Sequence, residues 1–378
     1  MSAEKSPDPK GDAAPGAPSA EERISYREYL RRLPKAELHC HFVATIQPST
    51  LVELARAHGV ALPTYDTDAL FDYDNIVDFL AVFKAAGEVF VDKGVVERVA
   101  YESVGHAART GNLRYREYFV NPDTFRFGYR ELLDGMVAGL QAAEADFGVG
   151  FGIIPAIARH LTPEVGVELV EKVLDDGRPE VLGIGQDYLA PDDSESPHLF
   201  AAAYRLAERH GLRRTAHVGE IPGSSAAEVV VAIDELHCQR VDHGYHILSD
   251  PAVVERAVQL KIPFTCTPSS TRVLSGWEFG PSHPIASMVR QGLNVTIATD
   301  DPTFFSADIG REFAEVLPAF GFGPDVARRL ALAAIDAAWC PPAARVALRA
   351  GFEEEVAHLD ALLDPASVRE DLQASAAG

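Results

Sequence analysis

The sequence predicts an α/β protein built as a closed parallel (β/α)8 TIM barrel with extra helices after the first strand. Three observations carry that expectation. Eight short runs rich in β-branched and aromatic residues alternate with longer Ala/Leu/Glu/Arg segments at helical spacing. No G-x-G-x-x-G turn follows an early run, as a doubly wound open sheet would lead one to expect. Titratable side chains gather where several runs end, which is where barrel enzymes build their sites.

In order, the candidate strands are AELHCHF (36–42), RYREYFVN (114–121), GFGIIPAIA (150–158) and VLGIGQDY (181–188). Four more follow: RRTAHVGE (213–220), RVDHGYHI (240–247), IPFTCTPSS (262–270) and NVTIATDDP (294–302). Helical stretches sit between them, such as 196–211 and 250–261. The long interval 43–113 must hold several extra helices after the first strand. Residues 1–24 carry almost no large apolar side chain and are expected to form a disordered tail. A single barrel domain is expected over 25–365, and a flexible C-terminal end over 366–378.

Composition narrows the function. The 378 residues are 47% hydrophobic, enough for a full globular core, and carry a net charge of −22. Such a chain repels polyanions, so no nucleic-acid or membrane partner is expected and a small molecule fits better. The four cysteines, Cys40, Cys238, Cys266 and Cys340, form no C-x-x-C pair. That argues against both a disulfide framework and a Cys-rich zinc site. No apolar run approaches a membrane span, and the charged, Pro/Ala/Gly-rich start has no apolar signal region. A cytoplasmic location is the expectation; the oligomeric state stays open.

The chemistry begins at His39-Cys40-His41. On a strand, His39 and His41 share a face and point together into the barrel. Two adjacent buried imidazoles are costly unless something binds them. For this triplet alone, a hydrogen-bonded core pair is an equally good reading. The other strand ends change the balance: His217 and Asp300, with the two histidines, supply nitrogen and oxygen ligands to zinc with room for water. Glu220, three residues after His217, stands where a carboxylate can take a proton from zinc-activated water and return it to a ring. His243 can orient that water, and Asp301 is free to contact substrate. Taken alone, Asp300-Asp301-Pro302 also reads as a helix N-cap.

The stretches LPKAELHCHF, TAHVGE, VDHGYH and TDDP, in this order, resemble the adenosine deaminase branch of the amidohydrolase superfamily over about residues 33–350. The resemblance implies one Zn2+, or another divalent metal, on His39, His41, His217 and Asp300. It implies Glu220 as the donor of a proton to the ring nitrogen beside the reacting carbon, with His243 and Asp301 in support. Binuclear relatives use a modified lysine on a middle strand. This chain has no lysine between Lys172 and Lys261, which favours a single metal. The zinc deaminases with an H-x-E…P-C-x-x-C signature share the chemistry but not the motif, which is absent here.

Two departures bear on the substrate. Where adenosine deaminases usually follow H-x-H with Leu-Asp-Gly, this chain reads Phe42-Val43-Ala44-Thr45, and Val43 cannot accept a hydrogen bond from a ribose hydroxyl. At the fourth strand end it reads Gly185-Gln186-Asp187-Tyr188, where Tyr188 is expected to fill part of the pocket. Asp242, alternating away from His243, is expected to face the surrounding helices. The expected reaction is hydrolytic deamination of a purine-type substrate, with adenosine as the default. Adenine, or a 5′-modified adenosine such as 6-aminodeoxyfutalosine, is the alternative. A catalytically silent, metal-bound binding protein is the alternative from another class, and the retained Glu220 speaks against it.

Overall fold

The computed structural model describes residues 22–73 and 76–377. Strands β1 (Lys35–His41), β2 (Leu113–Val120), β3 (Gly150–Ala158), β4 (Gly183–Asp187) and β5 (Arg213–Arg214) pair in chain order, all parallel. A second parallel run holds β6 (His217–Val218), β7 (Val241–His243), β8 (Pro263–Cys266) and β9 (Asn294–Ile297). β5 and β6 are two pieces of one stave. Thr215 N–H donates to the Ile184 carbonyl at 3.1 Å on one side, and Asp242 N–H to the Ala216 carbonyl at 2.9 Å on the other. The last gap closes where His41 N–H donates to the Asp300 carbonyl (2.8 Å) and Asp300 N–H to the His39 carbonyl (3.1 Å). The eight staves expected from the sequence thus form a closed barrel among the described residues.

Strands five to eight are shorter than their apolar runs. Their ends leave extended backbone: His243 and Asp300 are left-handed at φ 66° and 65°. Gly244 is left-handed too (φ 74°), and a Cβ there would lie 2.5 Å from the Phe264 ring. The runs expected as strand over 240–247 and 262–270 therefore turn into a 3-10 turn, Tyr245–Ser249, and a helix, Pro268–Ser275. Non-glycine residues in this region of backbone space store strain and concentrate at functional sites.

The interval after β1 holds a 3-10 turn (Val43–Thr45) and helices Pro48–His58, Ile76–Glu88 and Lys93–Gly111. The last packs closely on Tyr129–Phe147; a Cβ on Gly139 would meet the Glu97 carbonyl oxygen at 2.1 Å. Buried charges are paired among the strands. Arg116 Nε donates to Glu37 Oε2 at 2.6 Å, and Arg240 Nη1 to Glu117 Oε2 at 2.7 Å. Each charge is paired, as burial requires.

The expected tail over 1–24 lies outside the described residues as far as residue 21. Ile24 is held, its N–H donating to the Leu362 carbonyl at 2.9 Å. The C-terminal end forms a helix over Pro365–Ala377. It has something to pack on: Tyr26 N–H donates to Ser367 Oγ at 2.9 Å, and Arg27 pairs with Asp371. Among the described residues, no helix is long and apolar enough to cross a membrane.

Candidate active site

The C-terminal strand ends converge on one cavity of about 690 Å³. His41, Val43, Tyr188, His217, Glu220, His243, Asp300 and Asp301 all line it. His39 lies beneath its floor, fully buried. The nine residues picked from the sequence are thus brought together from β1, β4, β6, β7 and the turn after β9. Phe83, Phe125 and Phe305 contribute to its walls. Phe119 sits under the histidines, its ring centroid 5.1 Å from those of His39 and His217.

A chain of hydrogen bonds sets the state of His39. Thr265 Oγ1 gives its proton to Asp242 Oδ1 at 2.8 Å. It can therefore only accept from His39 Nδ1, 2.9 Å away. His39 Nδ1 therefore carries a proton, and Nε2 faces Asp300 Oδ1 at 3.1 Å. His41 Nε2 lies 3.2 Å from both Asp300 Oδ1 and His217 Nε2. The four expected ligands therefore meet in a chain of contacts. His39, His217, His243 and Asp300 can each place a donor atom within 4.8 Å of the others; so can His41, Asp187 and His217. His39 and His41 Nε2 at 3.1 and 3.2 Å from the Asp300 carboxylate, with His217 Nε2 3.2 Å from His41, fit a divalent metal with nitrogen and oxygen ligands.

The electrostatics divide the acids into two kinds. Burial opposes ionisation of Asp300, yet His39, with hydrogen bonds from His39 and His41, holds its carboxyl well below the usual range. Glu220 goes the other way: burial, then the Asp300 and Glu195 charges, push its carboxyl up to about 8. Glu220 Oε2 stands 3.5 Å from His243 Nε2. Burial, with His39 adding to it, holds the His243 imidazole well below its ordinary value, so it is neutral. Burial also raises Asp301, to about 7.

Several contributors escaped sequence reasoning. Asp242 does not face the helices. It is fully buried beneath the site, accepting from Thr215 and Thr265 hydroxyls at 2.7 and 2.8 Å, with Oδ2 3.4 Å from His217 Nδ1. The alternation argument failed because His243 is left-handed, so its side chain does not follow the period of two. Asn121 donates to Asp187 Oδ1 at 2.6 Å, and Asp187 Oδ2 lies 3.7 Å from His41 Nδ1. Both stand at strand ends, the signal that could have found them. Arg159 donates to the Tyr188 and His217 carbonyls at 2.6 and 2.5 Å.

Comparison with known proteins agrees with this geometry. The adenosine deaminase family model matches residues 34–355. An adenine deaminase of Bordetella parapertussis is 31% identical over 82% of this chain and 98% of its own length. One from Rhodospirillum rubrum is 31% identical over 85% of this chain and 96% of its own. Among solved structures, a zinc-bound amidohydrolase from Burkholderia ambifaria superposes with a TM-score of 0.80 at 32% identity, covering 88% of this chain and 93% of its own. An adenine deaminase from Arthrobacter aurescens gives a TM-score of 0.78 at 28% identity, covering 85% and 99%. A match across most of the barrel, carried by relatives of nearly equal extent, places the chain in the adenosine deaminase family of metal-dependent deaminases.

Proposed function

We propose that the protein hydrolyses the exocyclic amine of a 6-aminopurine, with the free base adenine as its substrate ahead of adenosine. The observation that carries the deaminase reading is Glu220 held 3.5 Å from His243 beside a buried histidine–aspartate cluster, with burial pushing the Glu220 carboxyl up to about 8. The base is preferred over the nucleoside on two grounds. Val43 puts an apolar side chain into the cavity wall, so a ribose hydroxyl there would lose its partner. The adenine deaminases named above align over most of this chain. This reverses the order expected from the sequence, which put adenosine first because it is the commoner activity. A purine bearing a substituent, such as a 5′-modified adenosine, is a second reading, favoured by a 690 Å³ cavity that exceeds the needs of a bare base.

His39, His41, His217 and Asp300 would hold one zinc ion. Zinc supplies the Lewis acidity that lowers the pKa of water toward neutrality. The side chains then move the protons. Glu220 gives its proton to the ring nitrogen beside the carbon bearing the amine. His243, neutral with a free Nε2, accepts the first proton lost by the attacking water as the new C–O bond forms. That proton passes to the amine, the C–N bond breaks and ammonia leaves. The second water proton returns to Glu220 as the carbonyl forms, so the acid is regenerated. Asp301, raised to about 7, faces the substrate as a hydrogen-bond partner for the purine or for the water.

The test is Glu220→Gln in zinc-loaded protein. Deamination should fall by roughly a hundredfold or more while zinc stays at one per chain. Retained activity with Gln at this position would remove the proposed acid.

A further inference from the structure

We propose that Glu195 is a positioning residue for Glu220: its buried carboxylate occupies a nest of three successive backbone N–H groups and so fixes where the acid stands. The proposal rests on the reading of Glu220 as the proton donor. Glu195 is 2% exposed and sits in the loop after β4, 24–26 residues upstream of its partners. Its Oε2 accepts from Gly219 N–H at 2.6 Å, and its Oε1 from Glu220 and Ile221 N–H at 2.7 and 3.2 Å.

Three consecutive N–H groups point to one spot only when the chain curls. Gly219 supplies the curl, at φ 65°. Such a concavity ordinarily collects an anion from outside; here the protein fills it with its own. The result is a fixed main chain at Glu220, from which the side chain reaches into the cavity toward His243.

The holding loop is itself braced. Ala190 N–H donates to the Ser194 carbonyl at 2.8 Å, and the Ser194 and Ser196 hydroxyls lie 2.5 Å apart. Ser196 takes a left-handed backbone (φ 33°), turning the loop just after Glu195. At the other end, Arg159 ties the Tyr188 carbonyl to that of His217. The substrate wall at Tyr188 and the acid at Glu220 are therefore anchored to the same frame: Arg159 at one end, Glu195 at the other. Glu195 touches no group proposed to hold zinc, which separates its role from theirs.

The test uses the full chain, zinc-loaded, with Glu195→Gln and Glu195→Ala. Rates on adenine are taken per bound zinc, and amide hydrogen exchange is followed at residues 219–221. Gln keeps the shape but only one accepting oxygen; Ala keeps neither. We expect exchange at 219–221 to quicken by about tenfold or more in both variants. The turnover number should fall by roughly tenfold for Gln and hundredfold for Ala, with KM within about threefold and zinc content unchanged. Should Ala not fold, Gln carries the test. Unchanged exchange, or quickened exchange with an unchanged turnover number, would overturn the proposal. So would a rate loss that merely follows lost zinc. If the parent protein deaminates no purine, the reading of Glu220 fails by itself, and a Gln variant that leaves exchange unchanged would still overturn the role of Glu195.

Discussion

His41 Nε2 and His217 Nε2 face each other across 3.2 Å, the half-buried His41 beside the Asp300 carboxylate and the buried His217 beside that of Asp242. Two imidazole nitrogens this close repel unless a proton or a cation lies between them. A metal shared by both resolves the conflict, and its uptake releases protons as ligands deprotonate. Chelation should abolish deamination and lower the melting temperature, and added zinc should restore both. His217→Ala should leave little bound zinc by metal analysis; full occupancy in that variant would exclude His217 as a ligand.

Asp242 lies beneath the same histidines. Burial works against its charge, but His217, His39 and Arg240 hold the carboxyl well below its ordinary range. Partners of this kind typically contribute ten- to a hundredfold to metal affinity, so Asp242→Asn should weaken zinc binding by about that factor. Competition against a chelator of known affinity reads it directly. An unchanged affinity would make Asp242 part of the scaffold only.

These two cases show what was legible from the chain and what was not. The barrel, the H-x-H pair and the strand-end acids were readable because strand periodicity and parallel-barrel topology fix where such side chains go. The same period of two misplaced Asp242, because left-handed backbone at His243 and Asp300 re-aims single side chains. Pairings between distant loops were invisible for another reason. Nothing local in SESP marks Glu195 as the partner of a turn 24 residues on, or Asn121 as the partner of Asp187. The helix Pro365–Ala377 was hidden because its support comes from Tyr26 and Arg27, at the far end of the chain.

Specificity should turn on Val43. Its side chain lines the cavity and offers no acceptor. Val43→Asp should raise kcat/KM for adenosine relative to adenine by roughly tenfold to a hundredfold, the value of pairing one buried hydroxyl. A ratio that does not move would place the sugar side of the pocket elsewhere.

Stability should fall in mild acid through His283. The ring accepts from Ile285 N–H at 3.2 Å and sits 3.0 Å from the Thr271 hydroxyl, stacked on Phe320. Burial lowers its pKa to about 4. Between pH 6.5 and 4 the unfolded chain therefore binds a proton that the folded chain refuses, so folding weakens as pH drops through that window. The loss is on the order of 2–3 kcal/mol. Denaturant unfolding of His283→Gln should show a flatter profile over the same range; an equally steep one would assign the acid sensitivity to other groups.

The most direct test of the account is the reaction itself. Zinc-loaded protein incubated with adenine should produce hypoxanthine and ammonia in equal amounts, faster than inosine from adenosine at matched concentration. Stoichiometric zinc with no turnover of adenine, adenosine or a 5′-modified adenosine would contradict it.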